Sequence, residues 1–346
     1  MKYRQLGRTG LDISLIGLGT MTWGRQNTQD EGFEQMDYAL TQGINFFDTA
    51  EMYAVPPNAD TYGTTETIIG HWFASRKNRD QVILASKIAG PGLSWIREGK
   101  NIIDRKNIIA AVESSLKRLQ TDYIDLYQLH WPNRGSYHFG QLWDYAPDFD
   151  KAAVENNFIE VLETCAELIQ AGKIRHIGLS NETAWGTSKW LELADKHQLP
   201  RMASIQNEYS LLCRHFEPDL SEISLHENCG LLAWSPLSRG MISGKYLNGA
   251  LPKGSRLSLD ARREHRAAPQ TDAAIAAYID LANEHQLDVC QMALAFVNQQ
   301  PFVSSNLIGA TNMQQLKSNI ASIDITLSPE LIKGIKSIRR QYPAPF

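Results

Sequence analysis

The chain has 346 residues, of which 43% are hydrophobic and 21% are charged, and its formal net charge is −4. This composition is typical of an ordinary globular protein. Lysines and arginines are spread along the chain, which excludes the basic stripe that a nucleic-acid binder needs. No stretch approaches the ~20 apolar residues of a membrane span, and no apolar segment follows the N-terminal residues. We therefore expect a soluble, cytoplasmic protein.

Short apolar runs rich in β-formers alternate along the chain with longer segments of helical period. The predicted strands cover residues 13–19, 44–49, 82–87, 123–130, 174–180, 203–208, 230–235 and 305–309. The helices that follow them in turn cover residues 31–42, 66–75, 104–119, 153–170, 184–197, 217–228, 272–284 with 288–299, and 312–320. Residues 1–14 predict a short hairpin at the bottom of the fold, and residues 328–339 predict one more helix.

Eight successive strand–helix units predict a parallel sheet with right-handed crossovers. Eight units suit a closed (β/α)₈ TIM barrel better than an open doubly wound sheet, and one barrel accounts for residues 1–346 as a single domain. The alternative is a Rossmann fold, for which the candidate dinucleotide-binding fingerprint is Gly17-Leu18-Gly19-Thr20-Met21-Thr22. There Thr22 stands where the third glycine belongs, which disfavours that interpretation.

Metal chemistry has little support in the sequence. None of the cysteines forms a C-x-x-C pair, and no H-x-H pair ends a predicted strand, so we predict no metal ligands and free thiols that suit a reducing cytosol. A metal-dependent barrel hydrolase would need clustered ligands and is disfavoured. The four cysteines are Cys165, Cys213, Cys229 and Cys290.

Ionisable side chains end three consecutive predicted strands. Asp48, Lys87 and His130 follow mostly apolar runs, and Tyr53 comes five residues after Asp48. Each of them alone could have an ordinary structural role: the aspartate as a cap, the lysine as a surface charge, and the histidine as a hydrogen-bonded core residue. In a barrel, however, the strand ends meet at the C-terminal mouth, so we expect the four side chains to converge there.

These four residue types suit carbonyl reduction. A tyrosine ionises near pH ~10, and an adjacent ammonium makes it a better acid; at ~4 Å and a dielectric constant of ~20 the attraction is about 4 kcal/mol. Asp48 can hold Lys87 charged, and a neutral His130 can donate to the oxygen that Tyr53 protonates. Such an acid stabilises an alkoxide that forms by hydride addition to a carbonyl carbon.

Residues 48–53 (DTAEMY), 63–70 (GTTETIIG) and 122–132 (DYIDLYQLHWP) together resemble the signatures of the aldo-keto reductase superfamily, and the likeness spans nearly the whole chain. The nearest branches are the bacterial Tas-like group and the potassium-channel β-subunits. The resemblance implies that Tyr53 is the acid/base, that Asp48 and Lys87 tune it, and that His130 orients the carbonyl. Two departures stand out: Ala54 replaces the glycine that often follows the catalytic tyrosine, and an apparent insertion then makes Tyr62 a rival for the acid role.

The same resemblance implies an NADP(H) site. It places Ser180, Asn181 and Gln206 at the nicotinamide and Arg256 near the 2′-phosphate, which favours NADP over NAD. The implied pyrophosphate loop comprises Trp234, Ser235, Pro236, Leu237, Ser238, Arg239, Gly240, Met241, Ile242, Ser243, Gly244 and Lys245. The implied cofactor residues after the eighth strand are Gly309, Thr311, Gln315 and Asn319, of which the last three lie at the adenosine end. Without the resemblance, the loop is equally consistent with a Gly/Ser-rich turn, and Arg256 with a surface arginine.

Two long loops, residues 54–65 and 131–150, interrupt the alternation, and the second is rich in aromatic residues. Long loops after barrel strands often form the substrate pocket, although packed surface loops are the alternative. The sequence thus predicts an NADPH-dependent oxidoreductase that reduces aldehydes or ketones, with a small carbonyl compound as its partner. A redox-sensing regulatory subunit that binds NADPH and turns over little is the second hypothesis, and the oligomeric state is open.

Overall fold

A computed structural model of the chain describes residues 1–259, Arg266 and residues 268–346. Its centre is a closed barrel of eight parallel strands, which confirms the predicted (β/α)₈ architecture. An antiparallel hairpin of β1 and β2 precedes the barrel, whose strands β3 to β10 follow the chain order around the ring. The strands are β1 Tyr3–Gln5, β2 Asp12–Ser14, β3 Ile16–Gly19, β4 Phe46–Asp48, β5 Ile83–Ile88, β6 Ile124–Leu129, β7 Ile174–Ser180, β8 Met202–Glu208, β9 Gly230–Trp234 and β10 Val303–Ile308.

The helices surround the barrel, and most begin at a capping side chain. Thr28 forms a capping box with Glu31, and Asp104, Asp150 and Thr183 each accept a backbone N–H at a helix start. The helices of the described residues are α1 Gln29–Thr41, α2 Thr64–Arg76, α3 Arg105–Leu119, α4 Lys151–Gln170, α5 Ala184–His197, α6 Asp219–Glu227, α7 Arg256–Leu259, α8 Pro269–Glu284, α9 Val289–Asn298, α10 Met313–Ala321 and α11 Pro329–Gln341.

The predicted boundaries differ from the observed ones mainly near prolines and in short elements. Helix α6 starts two residues later than predicted because Pro218 precedes it, and Glu217 instead pairs with Arg214. Helix α8 starts three residues earlier because Pro269 occupies its first position, where the missing N–H costs nothing. The short helix α7, which begins at Arg256, was not predicted.

Two apolar layers hold the barrel together. Strand residues such as Phe46, Leu126 and Leu232 fill its interior, where Leu6 and Ile13 of the hairpin segment pack against them and close the bottom. A larger cluster lies between the outer faces of the strands and the helices. Because the bottom is plugged, the C-terminal mouth is the end where side chains of several strands meet around open space. Within the described residues, no helix is both long enough and apolar enough to cross a bilayer.

Candidate active site

The structure brings Asp48, Lys87, Tyr53 and His130 together at the C-terminal mouth. Lys87 Nζ donates to Asp48 Oδ2 at 2.7 Å and to the Thr49 carbonyl oxygen at 2.8 Å. The same ammonium lies 5.1 Å from the centre of the Tyr53 ring. The Tyr53 and His130 rings meet edge to face, with centres 5.8 Å apart. Adjacent strands β4, β5 and β6 set these distances, since each side chain stands at or just beyond a strand end.

Burial and charge act in opposite directions on these groups. Burial disfavours the charged form of Lys87, but Asp48 and Tyr53 outweigh it and raise the pKa of the ammonium. Burial raises the pKa of Tyr53, and Lys87 opposes that rise without cancelling it. The ammonium thus acts in the predicted direction, but burial of the phenol has the larger effect. Burial, followed by the charge of Lys87, lowers the pKa of His130 well below its usual range, so its ring is neutral.

The second oxygen of Asp48 is bound by two amides. Gln206 Nε2 donates to Asp48 Oδ1 at 2.8 Å, and Gln128 Nε2 donates to the same atom at 3.1 Å. Gln206 Nε2 also donates to Gln128 Oε1 at 3.1 Å. Gln128 was not predicted as a site residue, although an amide within the buried strand β6 is a signal, because a buried polar group needs a partner.

Ser180, Asn181 and Gln206 form a contiguous polar surface beside these residues. Ser180 Oγ donates to the Gln206 carbonyl oxygen at 2.9 Å, and Asn181 Nδ2 donates to the His130 carbonyl oxygen at 2.8 Å. Asn181 Oδ1 is buried and has no hydrogen-bond partner among the described residues. Such an acceptor fits an amide N–H of a bound group.

Tyr62 lies in a different environment from Tyr53. Its hydroxyl donates to Glu51 Oε2 at 2.8 Å, and Arg97 forms a bidentate pair with the same carboxylate. Burial, and then the charge of Glu51, raise the pKa of Tyr62. A phenol whose proton is already donated to a buried carboxylate is poorly placed to protonate a substrate.

The loop after β9 curls through a 3₁₀ segment, Ser238–Ser243. Ser238, Met241 and Ile242 bury their side chains, and the Ser238 hydroxyl lies 2.7 Å from the Ser210 hydroxyl. Positive φ angles at Ser235, Ser238, Arg239, Gly240 and Gly244 bend the chain sharply, as in backbone concavities that bind anions. Lys245, at the end of the loop, is exposed.

The predicted adenosine-end residues meet at the start of α10. Gln315 Oε1 accepts from the backbone N–H of Thr311 at 3.0 Å, and Asn319 Nδ2 donates to the Gly309 carbonyl oxygen at 3.3 Å. Asn27, which the sequence analysis did not single out, donates to the Thr311 carbonyl oxygen at 2.9 Å and ties the loop after β3 to this site.

Arg256 begins the short helix α7, two residues after Gly254, whose carbonyl oxygen accepts from Gln26 Nε2 at 3.2 Å. Its charge reaches as far as Tyr53, on whose pKa it has a small lowering effect, after the larger effects of burial and Lys87. Gln26 and Asn27 are neighbours in the chain, and they contact the Gly254 carbonyl oxygen before Arg256 and the Thr311 carbonyl oxygen, respectively.

Aromatic residues of the 131–150 loop form a wall beside His130. Trp131 packs on the His130 ring with centres 4.9 Å apart, and Phe139 contacts both Trp131 and Trp234 at 6.3 and 6.1 Å. A buried ion pair between Arg134 and Glu182 anchors the loop to the end of β7. Next to Phe139 lies a small cavity of about 50 Å³ that Tyr137, His138, Phe139, Glu208, Arg266 and Phe346 help to line.

Comparison with known proteins agrees with this geometry. The model of the aldo/keto reductase family matches residues 15–340. The chain is 49% identical to Protein tas of Escherichia coli (strain K12), over the whole of both chains. It is 33% identical to the uncharacterized oxidoreductase YrpG of Bacillus subtilis (strain 168), over 100% of this chain and 97% of the relative. It is also 28% identical to a probable voltage-gated potassium channel subunit beta of Arabidopsis thaliana, over 99% and 98% of the two chains. The chain therefore belongs to the aldo/keto reductase family, and it is an oxidoreductase of a kind that generally uses NAD(P)H.

Proposed function

We propose that this protein reduces aldehydes or ketones to alcohols with NADPH, with Tyr53 as the general acid, and that residues 1–346 act as one domain. The observation that carries the proposal is the fully buried Lys87 ammonium, fixed by Asp48 and placed 5.1 Å from the Tyr53 ring centre. A buried lysine beside a phenol costs stability unless it is paired. A charged lysine and a neutral histidine at the mouth together provide the surroundings that Tyr53 requires to donate a proton to a carbonyl oxygen.

The proposed chemistry assigns one task to each side chain. Bound NADPH supplies a hydride for the carbonyl carbon. The Tyr53 hydroxyl donates a hydrogen bond to the carbonyl oxygen and transfers its proton as negative charge develops there, so that an alcohol leaves and solvent restores the phenol. Lys87 stays charged and stabilises the phenolate that remains. Neutral His130 donates a ring N–H to the same oxygen and fixes its direction.

The residues around this centre fit the cofactor. Asn181 Oδ1, buried and unpartnered within the described residues, suits an N–H of the nicotinamide carboxamide, and Ser180 and Gln206 lie beside it. The curled backbone of the loop after β9 and exposed Lys245 suit the pyrophosphate. We assign the 2′-phosphate to the Arg256 guanidinium, whose planar donors match a phosphate, and the adenosine end to Gly309, Thr311, Gln315 and Asn319.

The aromatic wall indicates the kind of substrate. Trp131 packs on the His130 ring, and Phe139 lies between Trp131 and Trp234, so the body of the substrate would contact ring faces and edges. We propose that the protein prefers aldehydes or ketones that carry an aromatic or bulky apolar group.

A redox-sensing subunit with little turnover is the second candidate, and the similarity to a potassium-channel β-subunit favours it. The two candidates differ in turnover number. The purified protein is incubated with excess NADPH and a panel of aryl and alkyl aldehydes, and NADPH oxidation and alcohol formation are followed together. Many equivalents of alcohol per protein support the reductase. Stoichiometric NADPH binding with at most one turnover across the panel supports the sensor.

A further inference from the structure

We propose that Gln128 is a positioning residue that locks the Gln206 amide for the nicotinamide and joins it to the Asp48–Lys87 pair. The inference deepens the proposed function and rests on it. Gln128 lies on β6, two residues before His130, and none of its surface is exposed. Its side chain touches neither the Lys87 ammonium nor the Tyr53 ring through a described hydrogen bond, so it acts through other residues.

The three side chains form a closed triangle. Gln128 Nε2 donates to Asp48 Oδ1 at 3.1 Å, Gln206 Nε2 donates to the same oxygen at 2.8 Å, and Gln206 Nε2 donates to Gln128 Oε1 at 3.1 Å. An ionised carboxylate has only acceptors. Both amides must therefore turn their nitrogen atoms toward Asp48, and the orientation of each amide follows from chemistry alone.

This triangle determines what Gln206 can offer to a ligand. An amide nitrogen carries two N–H donors, and those of Gln206 are both used, one on Asp48 and one on Gln128. Its oxygen remains an acceptor, and no described residue donates to it. Asn181 Oδ1 is a second acceptor with no partner in the described part of the chain. Two acceptors match the two N–H donors of a primary carboxamide.

The triangle also links this carboxamide site to the proton donor. Asp48 accepts from Lys87 through one oxygen and from the two glutamines through the other. Donors on the second oxygen spread the carboxylate charge. With Gln128 removed, Asp48 would cancel more of the positive charge that Tyr53 experiences from Lys87. Gln128 thus affects nicotinamide binding and proton transfer at once.

The test is Gln128→Met, which keeps the length and apolar stem of the side chain but removes both hydrogen bonds. We expect the Kd for NADPH to rise about fivefold to tenfold, the effect of losing one hydrogen bond. The Kd for 2′-phospho-ADP-ribose, which has the same phosphates and no nicotinamide, should stay within about twofold. The single-turnover rate of hydride transfer should fall about tenfold. Both affinities are measured by titration, without any carbonyl substrate.

Gln128→Glu provides a rescue that a purely structural role would not show. A protonated glutamic acid can donate to Asp48 and accept from Gln206, as glutamine does, whereas an ionised one repels Asp48. We expect NADPH affinity near that of the wild type at low pH, falling as pH rises, while the wild type shows no such loss. Ser204→Ala is the matched control, because its hydroxyl is buried on β8 and has no partner among the described residues.

Two results would overturn the proposal: an unchanged Kd for NADPH in Gln128→Met, or equal weakening of NADPH and 2′-phospho-ADP-ribose. The latter would mean that the substitution disturbs the whole site. Failure of the proposed function is recognised separately, because a wild-type protein that binds NADPH and turns over no carbonyl still allows the binding comparison.

Discussion

Lys87 Nζ and Asp48 Oδ2 are 2.7 Å apart, and the lysine side chain has no exposed surface. Removing one partner of a buried ion pair typically costs 3–5 kcal/mol, because the other charge is left uncompensated. The Thr49 carbonyl oxygen and the two glutamine amides supply the remaining hydrogen bonds that such a pair needs. The pair thus helps to fix the positions of Tyr53, whose ring lies beside Lys87, and of Gln206, whose amide donates to Asp48.

Replacing Lys87 with Met removes the charge that opposes the effect of burial on Tyr53. Because the lysine lowers the pKa of Tyr53, its loss should raise that pKa further, weaken the acid and slow carbonyl reduction about 10²- to 10⁴-fold. The alkaline limb of the kcat/KM profile for reduction should move to higher pH, since the protonated phenol persists longer. The double variant Asp48→Asn/Lys87→Met, which leaves no unpaired charge, controls for folding. An unchanged rate in Lys87→Met would contradict the assignment.

Replacing Arg256 with Ala tests the assignment of the 2′-phosphate. A charged hydrogen bond to a phosphate is worth about 1.5–3 kcal/mol, so the Kd for NADPH should rise about tenfold to a hundredfold. The Kd for NADH, which has no such phosphate, should change less than about twofold. Arg340→Ala, at an exposed position of α11, should alter neither affinity. Parallel losses for both cofactors would assign Arg256 to another part of the site.

Replacing Phe139 with Ala opens the aromatic wall. Because Phe139 packs against Trp131 and Trp234, the variant should lose ring contacts with an aryl substrate worth about 0.5–1.5 kcal/mol. KM for an aryl aldehyde should rise about threefold to tenfold, while KM for propanal and both kcat values stay close to the wild type. Trp143→Ala, in the same loop but 68% exposed, is the control. Equal effects on the two aldehydes would argue against an aromatic subsite.

Buried histidines make stability depend on pH. Burial lowers the pKa of His138 to about 4, whereas the unfolded chain titrates near ~6.5. Between these values the unfolded state binds more protons, so stability falls as pH decreases through about 6.5 and levels off near the folded pKa. The difference in Tm between pH 7 and pH 5 should shrink in His138→Asn and stay unchanged in His197→Asn, an exposed position on α5. An undiminished difference in His138→Asn would place the effect elsewhere.

The barrel and the meeting of Asp48, Lys87 and His130 were predictable from the sequence. Eight alternations of strand and helix patterns are enough to predict the topology. Side chains at the carboxyl ends of parallel barrel strands then lie together at the C-terminal mouth. Family resemblance was needed to propose the cofactor residues. The 234–245 loop shows why: several of its side chains are buried, and its relevant feature is backbone shape, which residue types alone barely specify.

Contacts between distant parts of the chain were not predictable. The hydrogen bond between Gln128 and Gln206 joins residues 78 positions apart. The hydrogen bond from Tyr62 to Glu51, which gives Tyr62 a different environment from Tyr53, depends on the conformation of the 54–65 loop. The lowering effect of Lys87 on the pKa of Tyr53 was predicted, but the larger opposing effect of burial was not, because the degree of burial cannot be inferred from neighbours in sequence. The strength of each interaction in a buried hydrogen-bond network depends on distance and solvent exposure, and both are set only when the barrel is assembled.

The central claim is that the Tyr53 phenol delivers the proton. It is tested most directly by the single-turnover rate of hydride transfer from NADPH to an aryl aldehyde in Tyr53→Phe and Tyr62→Phe. We predict that Tyr53→Phe slows transfer at least about 10²-fold with NADPH affinity within about twofold of the wild type, and that Tyr62→Phe transfers at a rate close to the wild type. Rapid transfer in Tyr53→Phe, or a comparable loss in a folded Tyr62→Phe, would contradict the account.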